Sequence, residues 1–187
     1  MTKSDIEACA QILDRCGVGR RYNGQKLSSF PGEPVAQLVK RLREVGYVSE
    51  LINTGKCLWF AGLNANDVLR VFAGAIAIGT GARADAAVKV IMLHSLSQLL
   101  EERQYDVLAE KYSPDMLCVS DFYYADKAEE YPYTPAELRR VEAFLSERVN
   151  AGQSVAIASD AEPQFATKWW SRRFCDLLSA TSDVIRL

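Results

Sequence analysis

Leu58-Trp-Phe-Ala-Gly62-Leu-Asn-Ala-Asn-Asp67-Val68-Leu69 is the stretch on which the fold turns. It opens as an apolar run of strand length and breaks at Gly62. From Asn64 or Asn66, both good helix caps, apolar residues then recur at helical spacing to about Ile78, where Gly79 and Gly81 stop the pattern. A strand passing through glycine straight into a helix opens a β-α-β unit, in which crossover helices cover parallel strands. The rest of the chain repeats the alternation. Apolar runs at Val88 to His94, Met116 to Ser120, Val155 to Ser159 and Val184 to Leu187 join Cys57 to Ala61 as predicted strands. Each is nearly continuous in apolar residues, as strands covered on both faces are.

Helix signals lie between them. Ser95-Leu-Ser-Gln98 reads as a capping box for a short helix to about Arg103. Thr134-Pro-Ala-Glu137 is a stronger one, with Val141, Phe144, Leu145 and Val149 on one face and Gly152 beyond the end. A last helix is predicted over Pro163 to Leu178. The first 56 residues differ in kind: a helix capped by Ser4-Asp-Ile-Glu7 to about Cys16, a turn-rich passage through Gly24 and Pro31-Gly32, and a helix from Pro34 to about Val45. This segment holds nine Lys or Arg against six Asp or Glu.

Composition narrows the function. The 187 residues carry 22 Lys or Arg against 24 Asp or Glu, a net charge of -2, with 49% hydrophobic and 25% charged residues. That is the balance of an ordinary globule, without the bulk positive field that holds a chain on DNA or an anionic membrane. No apolar run approaches the length of a membrane span, and Met1-Thr-Lys-Ser-Asp-Ile-Glu7 lacks the apolar core of a signal peptide, so a cytoplasmic protein is expected. Cys9, Cys16, Cys57, Cys118 and Cys175 are scattered and never form a Cys-x-x-Cys pair, and His94 is the single histidine. No metal site is predicted from such ligands.

A strand ending in glycine before a helix raises the question of a phosphate-binding loop, since exposed backbone N–H groups at a helix start attract anions. Aligned on Gly62, the pattern G-x-x-x-x-G-K-[ST] requires glycine at 67, lysine at 68 and Ser or Thr at 69. The chain has Asp67, Val68 and Leu69. Asp67 puts a carboxylate where phosphates would lie, Val68 removes the cation that contacts them, and Leu69 removes a hydroxyl ligand of Mg²⁺. In Asp115-Met-Leu-Cys-Val-Ser120-Asp121, serine holds the first place of the acidic pair that closes this strand in active ATPases, and the second carboxylate remains.

The chain resembles the AAA+ ATPases of the DnaC/IstB type, bacterial replicative helicase loaders and transposition helpers. The features carrying the likeness run in order: Cys16-Gly-Val-Gly-Arg-Arg-Tyr22 followed by Leu27 and Phe30, the Gly62 loop, the Ser120-Asp121 strand end, and Gly152-Gln-Ser-Val-Ala-Ile-Ala-Ser159-Asp160. The resemblance implies an α/β fold with a P-loop-type AAA+ core, a three-layer sandwich around a five-stranded parallel sheet. It would lack a helical lid, with a helical lead-in over 1–56 and the core over 57–187. It also places the family's sensor asparagine at Asp160, an anion that cannot donate to a terminal phosphate, and an arginine at Leu177. The expectation is a pseudo-ATPase with no cofactor. It would act as an adaptor or inhibitor in DNA replication or in a phage or plasmid element, bound to a replicative helicase, its loader or another replication protein, as a monomer or small oligomer. A weak ATPase with a divergent loop is the enzymatic alternative.

Two further constellations are ambiguous in sequence. Lys168-Trp169-Trp170-Ser-Arg172-Arg173 combines aromatic faces with cations, the chemistry of a single-stranded DNA surface. The reading preferred here is a helix that buries one Trp and solvates its arginines. Phe122-Tyr123-Tyr124 through Tyr131-Pro-Tyr133 is an aromatic and acidic loop suited to a protein partner, or else a surface loop packed on itself. Arg20, Arg21 and Tyr22 are expected to fix the lead-in to the core, and His94 to be partly buried.

Overall fold

The computed structural model describes residues 2–81, 84–122 and 133–187. Within them, five strands form one sheet: β1 (Cys57–Ala61), β2 (Val88–Met92), β3 (Met116–Ser120), β4 (Ser154–Ser159) and β5 (Ser182–Arg186). Their order across the sheet is β2-β3-β4-β1-β5, and every neighbouring pair is parallel. Strand residues alternate between two faces. Leu58, Phe60, Val90, Cys118 and Ala156 point into one apolar core, and Trp59, Ile91, Leu117, Val119 and Ile157 into the other.

Helices cover both cores, which gives the three layers expected from the doubly buried strands. On the first face lie α1 (Lys3–Arg15), α2 (Glu33–Leu42), α3 (Tyr47–Asn53), α4 (Ala65–Thr80) and α5 (Ala84–Ala87). On the second lie α6 (Leu93–Glu101), α7 (Tyr105–Lys111), α8 (Pro135–Asn150) and α9 (Arg172–Thr181). The lead-in also closes an edge of the sheet. The Val90 N–H donates to the Cys16 carbonyl at 2.7 Å, and a Cβ on Gly17, whose φ is +75°, would stand 2.3 Å from the Val90 oxygen. Only glycine lets the chain pass so close to β2.

The helix of α8 starts as its sequence indicates. The Glu137 N–H donates to the Thr134 hydroxyl at 3.3 Å and the Thr134 N–H donates to the Glu137 carboxylate at 2.6 Å; the Thr134 side chain first and its N–H second hold that carboxyl below the usual glutamate range. At α1 the cap lies two residues earlier than Ser4: the Asp5 N–H donates to the Thr2 hydroxyl, and Asp5 accepts from the Thr2 N–H. The α3 and α7 helices were not predicted, and each is only seven residues long.

Other boundaries move for reasons of packing. β2 ends at Met92, and the chain turns at once into α6, whose Leu93, Leu96 and Leu100 are buried. Ser95 and Gln98 therefore lie inside that helix and cap nothing, and His94 is exposed on it rather than partly buried at a strand end. β5 begins at Ser182, two residues before the predicted start. The predicted helix over Pro163 to Leu178 is broken into a 3-10 segment at Pro163–Lys168 and α9, which Ser171 caps by accepting from the Phe174 N–H. Gly79 lies within α4, and the left-handed Gly81 ends it. A Cβ on Gly79 would meet nothing within 4 Å. Gly79→Ala is thus expected to raise stability by about 0.5–1 kcal/mol, through the backbone entropy that glycine loses in a helix, as read by urea unfolding.

Candidate functional site

In an open parallel sheet, ligands bind beyond the carboxyl ends of strands whose following helices leave for opposite faces. Here β1 leads to α4 on the first face and its neighbour β4 leads to α9 on the second. The corner holds Gly62, Asp67, Ser120 and Asp121. Gly62 is fixed from two sides: its N–H donates to the Ser159 carbonyl at 2.9 Å, and its φ is +135° with a Cβ position only 2.4 Å from the Leu187 oxygen. The Leu187 N–H in turn donates to the Ala61 carbonyl at 2.7 Å.

The link from β1 to α4 is three residues, Gly62 to Asn64, and the helix begins at Ala65. A loop that cradles phosphates needs several successive N–H groups turned to one point. Here the residues aligned with the end of that loop are already helical. Val68 and Leu69 are fully buried in the first core, so the places of the lysine and the hydroxyl face apolar side chains rather than the corner. Asp67 lies in the first turn, where the positive end of the helix dipole suits a carboxylate. The Tyr22 hydroxyl donates to it at 2.6 Å, and the Arg21 guanidinium lies 3.9 Å from it while resting over the Tyr22 ring. Burial, followed by that bond to Asp67, pushes the Tyr22 hydroxyl pKa upward. Arg21 and Tyr22 therefore join the lead-in to α4, while Arg20 turns away to Asp14 and Glu7.

A second network fills the space beyond β3, centred on a residue that sequence reading passed over. Arg70 of α4 donates to the Ser120 hydroxyl at 2.9 Å and to the carbonyls of Gly17 and Val18 at 3.1 and 3.4 Å, and its guanidinium lies 4.0 Å from Asp121. The Ser120 hydroxyl donates to Asp121 at 3.0 Å. Asn66 and Asp121 exchange two bonds of 2.8 Å, Asn66 Nδ2 donating to the carboxylate and the Asp121 N–H donating to Asn66 Oδ1. These bonds hold Asp121 at φ +58°, a conformation that aspartate tolerates better than most residues. A cation of the protein thus occupies the neighbourhood of the Asp121 carboxylate. The signal was legible: between Val68 and Thr80, Arg70 is the sole charged residue of an otherwise apolar helix.

The remaining candidates scatter. Asp160 follows β4 and is half-buried beside the corner. Leu177 is half-buried against the second core, across the sheet from Val68 and Leu69, so it joins no site with them. The Lys168 to Arg173 patch is divided by the break before α9. Trp170 is buried, its ring stacked on Phe122 with centroids 4.2 Å apart, and so offers no face to a base. Trp169 is half-buried under Lys168, with the ammonium 5.0 Å from its ring. Lys168, Arg172 and Arg173 are exposed, and Arg172 lies 3.8 Å from Asp176 one turn on. Of the aromatic loop, Tyr123, Tyr124 and Tyr131 lie outside the described residues. Tyr133 is half-buried, 6.3 Å from the His94 ring, and burial raises its hydroxyl pKa.

Buried thiols belong to the core: Cys16, Cys57, Cys118 and Cys175 are buried, Cys9 half so, and burial pushes Cys175 up to about 11. Among the described residues no three His, Cys, Asp or Glu side chains gather as a metal would require, and no helix is long and apolar enough to cross a membrane.

No family model and no curated protein matches the chain. Solved structures do. The DnaC helicase loader superposes with a TM-score of 0.64 at 10% identity, over 89% of this chain and 98% of that one. DnaI gives 0.62 at 12% identity, over 89% of each chain. The replication initiator DnaA bound to AMPPCP and single-stranded DNA gives 0.59 at 13% identity over 87% of this chain, which spans about half, 49%, of the DnaA chain. What this chain shares with these proteins, all of them AAA+, is the fold: a five-stranded parallel P-loop-type core between two layers of helices.

Proposed function

We propose that the chain is a replication accessory protein with an AAA+ core that works by binding other proteins, without binding or hydrolysing ATP. A helicase-loader-like role as adaptor or inhibitor is the form this takes, with a replicative helicase, its loader or another replication protein as partner. The observation that carries the reading is the filled corner. Arg70 stands against Ser120 and Asp121, Asp67 is engaged by Tyr22, and the helix starts at Ala65 with no loop to receive phosphates. An ATP–Mg²⁺ complex would bring its phosphates toward Asp67 and would have to break the Arg70 links before a metal could reach Asp121. Both steps cost free energy.

Calorimetric titration of ATP and ADP with Mg²⁺ into the purified protein, with the matching thermal shift, tests this. Neither heat nor stabilisation is expected at millimolar nucleotide. Micromolar binding with a clear rise in Tm would overturn the reading and return the chain to the ATPases. The single-stranded DNA alternative would rest on Trp169 with Lys168, Arg172 and Arg173, since Trp170 is in the core.

A further inference from the structure

The sequence Val71-Phe-Ala-Gly-Ala-Ile-Ala-Ile-Gly-Thr80 carries no charge over the last ten residues of α4, as a helix covered on every side would. Yet Ala75, Ile78 and Gly79 are exposed, Ile78 to 43%. Two cavities lie along this side, of about 530 and 420 Å³, and they adjoin, because Leu42 and Ala75 line both. The first extends to Gly79 and Thr80 and is walled by Val48 and Ile52 of α3; the second runs back to Val71 and to Leu27 of the lead-in. Together they make one groove parallel to α4 from 71 to 80, roughly 14 Å at 1.5 Å per residue.

We propose that this groove receives one amphipathic helix of a partner protein, with acidic residues at the end that meets Lys26 and Arg43. The proposal rests on the reading that the chain acts through protein contacts. Its shape argument is the floor: Ala75 and Gly79 are one turn apart on the same face, and Gly79 is not required by the fold, since a Cβ there would meet nothing. A glycine kept where alanine would serve the helix better leaves room for close approach from outside. Charge identifies the occupant. Lys26 and Arg43 line the Val71 end, both are exposed, and among the described residues neither is in an ion pair, whereas at the Thr80 end the charged lining residue is Asp115. Among the described residues the groove therefore has a positive end and a weakly negative one, which favours an elongated partner with acidic residues at a single end. A second copy of this chain fits less well, because twofold pairing sets groove against groove and fills neither.

The probe is a fluorescein-labelled, hydrocarbon-stapled helical peptide about 18 residues long, roughly 27 Å, with Leu and Ala on one face and Glu clustered in one terminal turn. A twin carries Lys in place of those Glu residues. Fluorescence anisotropy is expected to show micromolar binding of the acidic peptide and at least about tenfold weaker binding of the basic one. Lys26→Glu with Arg43→Glu is expected to reverse that preference. Gly79→Leu, directed into open space, is expected to abolish binding with the circular dichroism spectrum unchanged. Equal affinity for both peptides overturns the proposal, as does binding that survives Gly79→Leu. A dimer of the native chain that Gly79→Leu dissociates also overturns it, in favour of a second copy. These outcomes are separate from the nucleotide titration: ATP binding would refute the nucleotide-independent reading and leave the groove untouched.

Discussion

Trp170→Ala is expected to lower the free energy of unfolding by about 3–5 kcal/mol, the range for deleting a large buried aromatic. The indole is 2% exposed and closes a stack: Phe122 lies parallel to it at 4.2 Å, Phe174 at 5.6 Å, and Phe122 meets the Trp59 ring edge-on at 5.4 Å. Removing it opens a cavity beneath the carboxyl ends of β1, β3 and β4, because Trp59 also anchors the segment after β4 by donating to the Ala161 carbonyl at 2.7 Å. Trp170→Phe should cost far less. It keeps the stack and discards an indole N–H that has no hydrogen-bond partner among the described residues. Urea unfolding of the two variants checks the expectation. A stable Trp170→Ala protein that had lost affinity for single-stranded DNA would restore the stacking-surface reading.

Arg70→Ala is expected to cost about 2–3 kcal/mol, less than a fully buried ion pair because Asp121 keeps some contact with solvent. The side chain is 13% exposed against 32% for Asp121, and its loss strands the Gly17 and Val18 carbonyls and leaves the Ser120 hydroxyl only its bond to Asp121 among those described. The effect should be local as well as global. Amide exchange should rise at 16–22, where the lead-in crosses to the core, and at 120–122, while α8 keeps its protection. Added ATP and Mg²⁺ should not restore the lost stability. Restoration by nucleotide would mean that Arg70 merely stands in for a ligand the corner still accepts.

How much of this was legible in the sequence differs from element to element. β1, β3 and β4 were readable because central parallel strands are apolar on both faces, and α8 because its cap, its proline and its apolar face agree. The failures occur where one pattern serves two structures. An apolar run from Val88 to His94 does not reveal that Met92 is the last strand residue, since Leu93 is as suitable for the first buried position of a helix. The aromatic and basic run from Lys168 to Arg173 read better as a helix burying one Trp than as a surface, but which Trp is buried is settled only by the neighbours Phe122 and Phe174, which take Trp170.

At the candidate site the division is sharper. The sequence by itself determined that Asp67, Val68 and Leu69 stand where the phosphate-loop pattern aligned on Gly62 has glycine, lysine and a hydroxyl, a matter of residue identity that needs no coordinates. It also determined that strands and helices alternate, through hydrophobic period alone. Only the tertiary structure decided what stands at this corner. Arg70 meets Gly17, Val18, Ser120 and Asp121 across separations of about fifty residues, and Tyr22 meets Asp67 across forty-five. Such contacts arise from the packing of the lead-in on α4 and the order of the strands, and no local pattern encodes them.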